Sequence, residues 1–176
     1  DGLQEIDFSG LPAPQSDSST ATGGPLNIIG TERELTYQLL ANPLVTTAQV
    51  RTLSALGGLF NVNNGPGTVS VSEVLWDGVG SGGLDVDLTR GGQDDLFFVD
   101  TLAVDLSLAF QLEVIDNGGN VSTVTRTGLS TGIETIGYSE FTGTADFSDV
   151  FSVSLIVSGP AAVDLVLGSI GTGHVD

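Results

Sequence analysis

Five aspartates lie in short segments rich in glycine, serine and asparagine, where proteins commonly place oxygen ligands for a metal ion. They are Asp94 and Asp95 in GGQDD, Asp116 in DNGGN, and Asp146 and Asp149 in TADFSD. Calcium takes about 6–8 oxygen ligands, many of them loop carboxylates. None of these segments matches an EF-hand loop, and Asp is also an ordinary residue of solvated turns. Calcium binding is therefore a hypothesis for these residues, and no cofactor is required.

Catalytic side chains are few in this sequence. Five glutamates could supply a pair of carboxylates for glycoside hydrolysis, but most of them fall where solvated strand faces are expected. His174 is the only histidine, and there is no cysteine. A triad through His174 would need partners that the sequence does not indicate. We therefore expect no enzymatic activity. The glutamates are Glu34, Glu73, Glu113, Glu134 and Glu140.

The segment GVGSGG, residues 78–83, matches the glycine pattern of dinucleotide-binding proteins. That pattern binds pyrophosphate only where a helix begins directly after it, because the helix N-terminus supplies the amide groups. Here the segment LDVDL follows, and its alternation predicts a strand. We interpret the glycines as a loop.

Aromatic side chains that could stack on a sugar ring are Trp76, Tyr37 and Tyr138. Trp76 lies in EVLWDG, where a position in the core or at a strand end is the simpler interpretation. Asn120, in Asn-Val-Ser, is a sequence acceptor for N-glycosylation. A glycan partner is therefore left open.

The net charge of −18 comes from a lack of cations rather than an excess of acids, since the chain has 22 Asp and Glu but only four Arg and no Lys. Such a chain has little with which to neutralise a phosphate backbone or an anionic bilayer. No run approaches the roughly 20 apolar residues of a membrane span. We expect neither nucleic-acid binding nor membrane insertion. The absence of lysine also excludes pili that are cross-linked through lysine.

Strict alternation of apolar residues dominates the chain. In LAVDLSLAFQLEVID, every second residue from Leu102 to Val114 is apolar, which predicts one long strand with one buried and one solvent-exposed face. DNGGN then predicts a hairpin turn into a strand over residues 121–127. Residues 31–43 combine a helix-capping spacing with alternation, and we favour a strand. A slip of parity near Ser72 and Glu73 suggests a bulge. Further strands are predicted over residues 68–76, 84–88, 96–100, 151–157 and 162–167.

Many short strands between turn residues predict an all-β protein, a two-sheet antiparallel β-sandwich of the jelly-roll type. The N-terminal LQEIDF would place Ile6 and Phe8 on a buried face, with Leu3 on the side of the acidic residues. Ser, Thr, Gly and Pro then predict a flexible tether. We therefore divide the chain into an N-terminal strand and tether, 1–25, and a sandwich domain, 26–176.

The segment GGLDVDLTRGGQDDLFFVD, the alternating strand and EFTGTADFSDVFSVSLIVSGPAAVDLVLGSI together resemble a group of uncharacterised secreted bacterial jelly-roll surface proteins. Many members of that group carry a C-terminal sorting signal. The resemblance covers about residues 33–170 and implies a β-sandwich and export, with no assigned chemistry. Here the chain ends in GTGHVD, so anchoring by a sorting signal is not expected. The N-terminal extension is similar to a pilin donor strand.

We consider two functions. In the first, the protein is a secreted structural subunit of a surface filament or matrix, and it forms a homopolymer by inserting Leu3, Ile6 and Phe8 into a neighbouring subunit. In the second, it is a monomeric carbohydrate-binding or calcium-binding module of the same fold, with LQEIDF as the first strand of its own sandwich. Both place the protein outside the cell or at its surface.

Overall fold

A computed structural model describes residues 3–23, 29–53 and 59–174. These residues form thirteen strands, most of them joined by short turns, with one long connection over residues 77–95. No helix among them is long and apolar enough to cross a membrane. In chain order, the strands are β1 (Gln4–Asp7), β2 (Gln15–Thr22), β3 (Glu32–Ala41), β4 (Ala48–Leu53), β5 (Leu59–Asn64), β6 (Val69–Trp76), β7 (Leu96–Val104), β8 (Ala109–Asp116), β9 (Val121–Thr127), β10 (Gly132–Gly137), β11 (Thr142–Gly143), β12 (Val150–Gly159) and β13 (Asp164–Gly173).

The strands form two antiparallel sheets packed face to face. Sheet A has six strands in the order β1-β4-β5-β13-β7-β10, and sheet B has seven in the order β11-β9-β8-β12-β6-β3-β2. Alternate side chains of both sheets point into one shared core, because successive residues of a strand face opposite sides. The predicted all-β jelly-roll sandwich is confirmed.

The predicted long strand over residues 102–114 is instead divided between the two sheets. β7 ends at Val104 in sheet A, and β8 begins at Ala109 in sheet B. In the middle of β7 the buried residues are Phe97, Val99 and Thr101, which have the opposite parity to the exposed Leu102. Asp105 stabilises the crossing, because its carboxylate accepts a hydrogen bond of 2.7 Å from the Asp164 amide. Alternation alone does not reveal where a chain leaves one sheet for the other.

The other predicted strands, the bulge and the glycine loop agree with the structure only in part. β3 is a strand, as favoured, and β9 has its predicted bounds. The predicted strand at residues 84–88 is wrong, since only Val86 there makes an isolated bridge, to Val150. The bulge near Ser72 is also wrong, because β6 pairs with β12 in continuous register and buries Ser72. The GVGSGG segment contains a single 3-10 turn and no longer helix, as expected of a loop.

The N-terminal segment belongs to the sandwich. β1 pairs with β4 of the same chain, which buries Ile6 (3% exposed) and Phe8 (9%) and leaves Leu3 at 57%. The tether prediction is wrong for β2, which pairs with β3 along its whole length and forms an edge of sheet B. Serine and threonine suit an exposed edge strand as well as a tether. Residues 24 and 25, at the predicted domain boundary, lie outside the described residues.

Candidate ligand-binding cleft

An open cleft of about 350 Å³ lies where one end of β3 and β6 meets β13. Most of its surface is apolar, and its few polar groups come from single side chains and from the backbone of β13. A volume of this size is at the lower end of the range for small-molecule sites. The described residues that line it are Ile29, Arg33, Trp76, Leu88, Phe97, Val153 and residues 168–172 of β13.

Trp76 is the last residue of β6, and its position follows from the alternation of that strand. Ser72 and Val74 point into the core, and the next inward position is Trp76. Its register partner on β12 is Val153, which is buried and also lines the cleft. Since the strand ends here, the indole packs against the core on one side and remains half-buried. The expectation of a strand-end position for Trp76 is confirmed.

Arg33 shares the inward face of β3 with Leu35, and its side chain is only 5% exposed. Its Nε donates a hydrogen bond of 2.6 Å to Gln4 Oε1, and its Nη2 donates one of 2.7 Å to Thr52 Oγ1. Burial lowers the pKa of this guanidinium from its usual value. An arginine pKa starts so high that the group still carries its charge at neutral pH. The cleft therefore contains one buried cation held in a fixed orientation.

A second, smaller cavity of about 50 Å³ lies behind the cleft. Arg33, Trp76, Ser169 and Ile170 line both spaces. The inner cavity continues toward the core residues Phe60 and Leu155. The Arg33 and Trp76 side chains thus have space on both sides.

Hydroxyl groups enter the cleft from β13. Pairing between β13 and β7 is irregular around Leu167 and Ser169, and this irregularity brings Ser169 to the cleft as well as Ile170. Thr172 also lines the cleft and donates a hydrogen bond of 2.9 Å to Asp94 Oδ2. Among the described residues, no carboxylate lines the cleft. Its polar groups are hydroxyls, backbone amides and one guanidinium.

The two tyrosines predicted as sugar-stacking residues lie elsewhere. Tyr37 is fully buried, and its hydroxyl donates a hydrogen bond of 2.9 Å to Asn64 Oδ1. Tyr138 stacks on Phe147 with ring centroids 4.4 Å apart and donates a hydrogen bond to the Leu88 carbonyl. Both rings have protein partners, so only Trp76 of the three lies in the cleft.

The five aspartates proposed for calcium separate into two groups. Asp94 and Asp95 lie near the C-terminal end of β13, where Asp94 is buried and Asp95 is 3.1 Å from His174 Nδ1. Asp116, Asp146 and Asp149 are brought together at the turn after β8.

Hydrogen bonds occupy the carboxylates of this second group. Asp116 accepts bonds from the Asn120 side chain and the Asp146 amide, and these bonds lower its pKa. The Ser148 hydroxyl and amide lower the pKa of Asp146 in the same way. Asp149 accepts a bond of 2.7 Å from Asn117. Within the described residues, no group of three or more His, Cys, Asp or Glu is arranged to hold a metal ion.

The remaining predicted positions are away from the cleft. Glu134 and Glu140 both pair with Arg126, at 3.1 and 2.6 Å. The other glutamates considered above, on β3, β6 and β8, alternate with buried residues and face outward from sheet B. Asn120 is exposed in its turn, where its amide donates to Asp116. Glycosylation of Asn120 stays a prediction.

Sequence reasoning missed Arg33 as a site residue, although a signal was present. Arg33 has the same parity as Leu35, Tyr37 and Leu39, all of which are buried. A charged residue at an inward position of a strand needs partners or a function. What the sequence could not show is that Gln4 and Thr52, from distant strands, would be those partners.

No protein-family model matches the sequence, and no curated protein is significantly similar to it. Solved structures with a similar sandwich include PfGH50B, which is 13% identical, with 80% of this chain and 22% of that chain covered and a TM-score of 0.49. Another is a family 11 carbohydrate-binding module from Clostridium thermocellum in complex with a β-1,3-1,4-mixed-linked tetrasaccharide (10% identity, 98% and 95% covered, TM-score 0.42). An exo-β-agarase is 11% identical, with 95% and 22% covered and a TM-score of 0.38. The chain thus spans about a fifth of PfGH50B and of the exo-β-agarase, and these similarities concern the fold alone.

Proposed function

We propose that this protein is a non-catalytic glycan-binding module that holds an uncharged saccharide in the Trp76 cleft. The observation that carries the proposal is the half-buried Trp76 indole, which lies in one open cleft with the Arg33 guanidinium and the hydroxyls of Ser169 and Thr172. The setting that we propose for this module is extracellular or at the cell surface.

The chemistry of a sugar ring matches this arrangement. A pyranose has an apolar face of C–H groups and an edge of hydroxyls, so it pairs with a flat aromatic side chain and a few hydrogen-bonding groups. An indole supplies a large, rigid apolar surface. A guanidinium donates several hydrogen bonds in a fixed plane, and hydroxyls both donate and accept.

Charge favours a neutral saccharide over an acidic one. The chain carries a net charge of −18, and it has four arginines and no lysine. A polyanionic polysaccharide would approach a surface of like charge, which slows association and lowers affinity at low salt. The buried Arg33 guanidinium in the cleft does not reverse this electrostatic repulsion. We therefore propose neutral glycans as the ligand class.

The residues that line the cleft also support the proposal of binding without hydrolysis. Glycosidases commonly use two carboxyl groups that flank the scissile bond, about 5–9.5 Å apart. The described residues that line the cleft include no Asp or Glu. A saccharide held against Trp76 would therefore meet no acid and no base there.

Calorimetric titration with a panel of soluble polysaccharides tests the proposal. We expect binding of at least one neutral glycan, such as a mixed-linkage β-glucan or agaro-oligosaccharides, and none of alginate. Trp76→Ala should weaken binding at least tenfold, because it removes the stacking surface. The matched control is Phe98→Ala, since Phe98 is also a half-buried aromatic but packs over Gly171 and does not line the cleft. Binding that survives Trp76→Ala and disappears in Phe98→Ala would overturn the assignment.

A second candidate function, the filament subunit, rests on the placement of β1. This strand has four residues, lies at the edge of sheet A and pairs only with β4. The apolar contact of this segment comes mostly from Ile6, which is buried opposite Val50, and from Phe8, directly after the strand, which stacks on Tyr37 at 5.8 Å. A neighbouring subunit's β1 could make the same contacts if the strands were exchanged.

Replacing Ile6 and Phe8 together with Asp separates the two docking modes. If β1 docks in its own chain, the double variant loses several kcal/mol of stability as a monomer, since each side chain contributes about 1.5–3 kcal/mol when buried. If β1 is exchanged, wild-type protein forms long polymers in light scattering and the double variant does not. Replacing Glu5 and Asp7 with Ser is the control, because both side chains are exposed. Wild-type protein that stays monomeric at every concentration would end the filament hypothesis.

A further inference from the structure

A buried polar network joins the N-terminal strand to the cleft. Gln4 is 3% exposed, Arg33 5% and Thr52 3%. Gln4 Oε1 accepts hydrogen bonds from Arg33 Nε at 2.6 Å and from Thr52 Oγ1 at 3.2 Å. Thr52 Oγ1 in turn accepts a bond of 2.7 Å from Arg33 Nη2. The three side chains close a triangle inside the sandwich.

The network connects both sheets. Gln4 and Thr52 are register partners on β1 and β4 of sheet A, whereas Arg33 comes from β3 of sheet B. Gln4 Nε2 also donates a bond of 2.6 Å to the Ser19 carbonyl of β2. One glutamine side chain thus contacts the edge strand of sheet B and the cation of the cleft.

Of the three side chains, only Arg33 lines the main cleft, while Thr52 lines the small cavity behind it. Gln4 lines neither space, so it does not contact a ligand directly. The inner cavity lies directly beside the Arg33 side chain. A long arginine side chain loses much rotational freedom when it is fixed, and a preformed orientation lowers the cost of binding.

We propose that Gln4 is a positioning residue for the cleft, and that it makes saccharide affinity depend on a docked N-terminal strand. This rests on the proposed function of the cleft. Gln4 fixes the Arg33 guanidinium beside Trp76, and as a neutral acceptor it does so without adding a charge. When β1 leaves sheet A, Arg33 loses the acceptor of its Nε while its Nη2 keeps Thr52, so the guanidinium beside Trp76 is held less firmly.

Three variants test the proposal. Gln4→Met keeps the length of the side chain but removes both of its hydrogen-bonding groups. Gln4→Glu keeps an acceptor oxygen for Arg33 and Thr52 and removes the donor to the Ser19 carbonyl. Ile6→Val weakens β1 through the core, two residues from Gln4 and on the same face, without touching Arg33. The melting temperature, the affinity for a neutral glycan and the emission of Trp76, the only tryptophan, are measured for each.

We expect Gln4→Met to weaken saccharide binding about tenfold and to change both the emission of ligand-free Trp76 and its quenching by acrylamide. Gln4→Glu should stay close to wild type in saccharide affinity and in the emission and quenching of Trp76. Ile6→Val should lower only the melting temperature. If Gln4→Met lowers the melting temperature but keeps wild-type affinity and emission, Gln4 is merely structural and the proposal is wrong. If Gln4→Met does not fold, a loss of affinity in Gln4→Glu as large as that of Trp76→Ala would overturn it.

If the protein is not a glycan-binding module, these experiments give a different result. In that case wild-type protein binds no neutral glycan, whatever the state of Gln4. The emission and quenching of Trp76 then decide the positioning role alone, because they report on the cleft without a ligand. Equal emission and quenching in wild type, Gln4→Met and Ile6→Val would overturn the positioning role.

Discussion

Buried polar side chains lie at both ends of the β3–β6 pair, but the space around them differs. At one end, Arg33 and Trp76 border an open cleft with a further cavity behind it. At the other end, Tyr37 and Ser70 meet Asn64 of β5 in a space that protein atoms fill. Both ends bury polar groups between the same two strands, but only Arg33 borders the cleft between the sheets. A groove of about 440 Å³ at the other end is lined by Ser70 and Gly159 and not by Asn64 or Tyr37.

The closed end is saturated by its own hydrogen bonds. Asn64 Oδ1 accepts bonds from the Tyr37 hydroxyl at 2.9 Å and the Ser70 hydroxyl at 3.1 Å. Asn64 Nδ2 donates to the Gly159 carbonyl at 3.1 Å. A β-carbon at Gly159 would come within 2.6 Å of the same amide, so the packing there permits only glycine without a shift. These bonds hold the sandwich together, and the Asn64 and Tyr37 side chains border none of the described cavities, whereas Ser70 and Gly159 also line the groove.

The difference shows that burial of a polar side chain does not by itself indicate function. Arg33 and Asn64 are both nearly inaccessible to solvent. What separates them is the surrounding space, because Asn64 is enclosed by its partners whereas Arg33 borders a cleft. A buried polar group beside an open cleft can bind a ligand, whereas a polar group enclosed by its hydrogen-bond partners stabilises the fold.

The largest expected effect is at the closed end. Asn64→Ala leaves the Tyr37 hydroxyl, the Ser70 hydroxyl and the Gly159 carbonyl without their shared partner, and each unpaired buried group costs about 1–3 kcal/mol. We expect a loss of roughly 3 kcal/mol or more in the free energy of unfolding, measured with denaturant. Saccharide affinity should not change below the transition.

Asn61→Ala is the matched control for this change. Asn61 lies on the same strand but faces outward, and its amide makes one hydrogen bond of 3.1 Å, to the Leu165 carbonyl. Its removal should cost about 1 kcal/mol or less. Equal losses in the free energy of unfolding for Asn64→Ala and Asn61→Ala would show that the hydrogen-bond network of Asn64 contributes no more stability than the single bond of Asn61.

The sequence predicted the architecture well and the site poorly, for physical reasons. Strict alternation identifies a strand, so β3, β6, β9 and β12 were found. It carries no information on which sheet receives a strand, and so the crossing at Asp105 was missed. β2 has no apolar residue larger than Ala21, because an edge strand can be held by backbone pairing to β3 alone. The cleft combines Arg33, Trp76 and β13, which only tertiary structure brings together.

An intermediate effect is expected when the open end loses its cation. In Arg33→Met, Thr52 Oγ1 and Gln4 Oε1 keep their bond of 3.2 Å, and an apolar side chain of similar length fills the space. Gln4 Oε1 keeps a donor in this variant, so fewer buried groups lose their partner than in Asn64→Ala, and we expect a smaller loss of stability. Saccharide affinity should fall, since the oriented donor is gone.

Calorimetry and denaturant unfolding on the same preparation measure both quantities. Arg51→Met is the control, because Arg51 pairs with Glu5 at 2.8 Å on the outer face of sheet A and is partly exposed. A loss of stability for Arg33→Met as large as that of Asn64→Ala, with affinity unchanged, would place Arg33 with the structural residues and remove the contrast between the two ends.

The smallest expected effect uses the two tyrosines, one at each end. Burial raises the pKa of Tyr37 to about 12, and burial together with the nearby charge of Asp94 also raises the pKa of Tyr138. An unfolded tyrosine titrates near pH 10. A raised pKa in the folded state means that the stability contribution is complete below pH 10 and is lost as the pH rises toward 12. The protein should therefore become less stable over that range.

Tyr37→Phe and Tyr138→Phe isolate the two rings, because the chain has only these two tyrosines. Each variant removes one hydrogen bond, worth about 1 kcal/mol, and leaves one tyrosine whose ionisation is followed by ultraviolet absorbance. In the folded protein, both remaining tyrosines should titrate well above pH 10, and both should return to the ordinary value in denaturant. Only Tyr138 lies near the cleft, through its hydrogen bond of 2.9 Å to the carbonyl of the cleft residue Leu88. A saturating neutral glycan should therefore shift the titration of Tyr138 and leave that of Tyr37 unchanged, and a shift of Tyr37 alone would place the ligand at the wrong end of the sandwich.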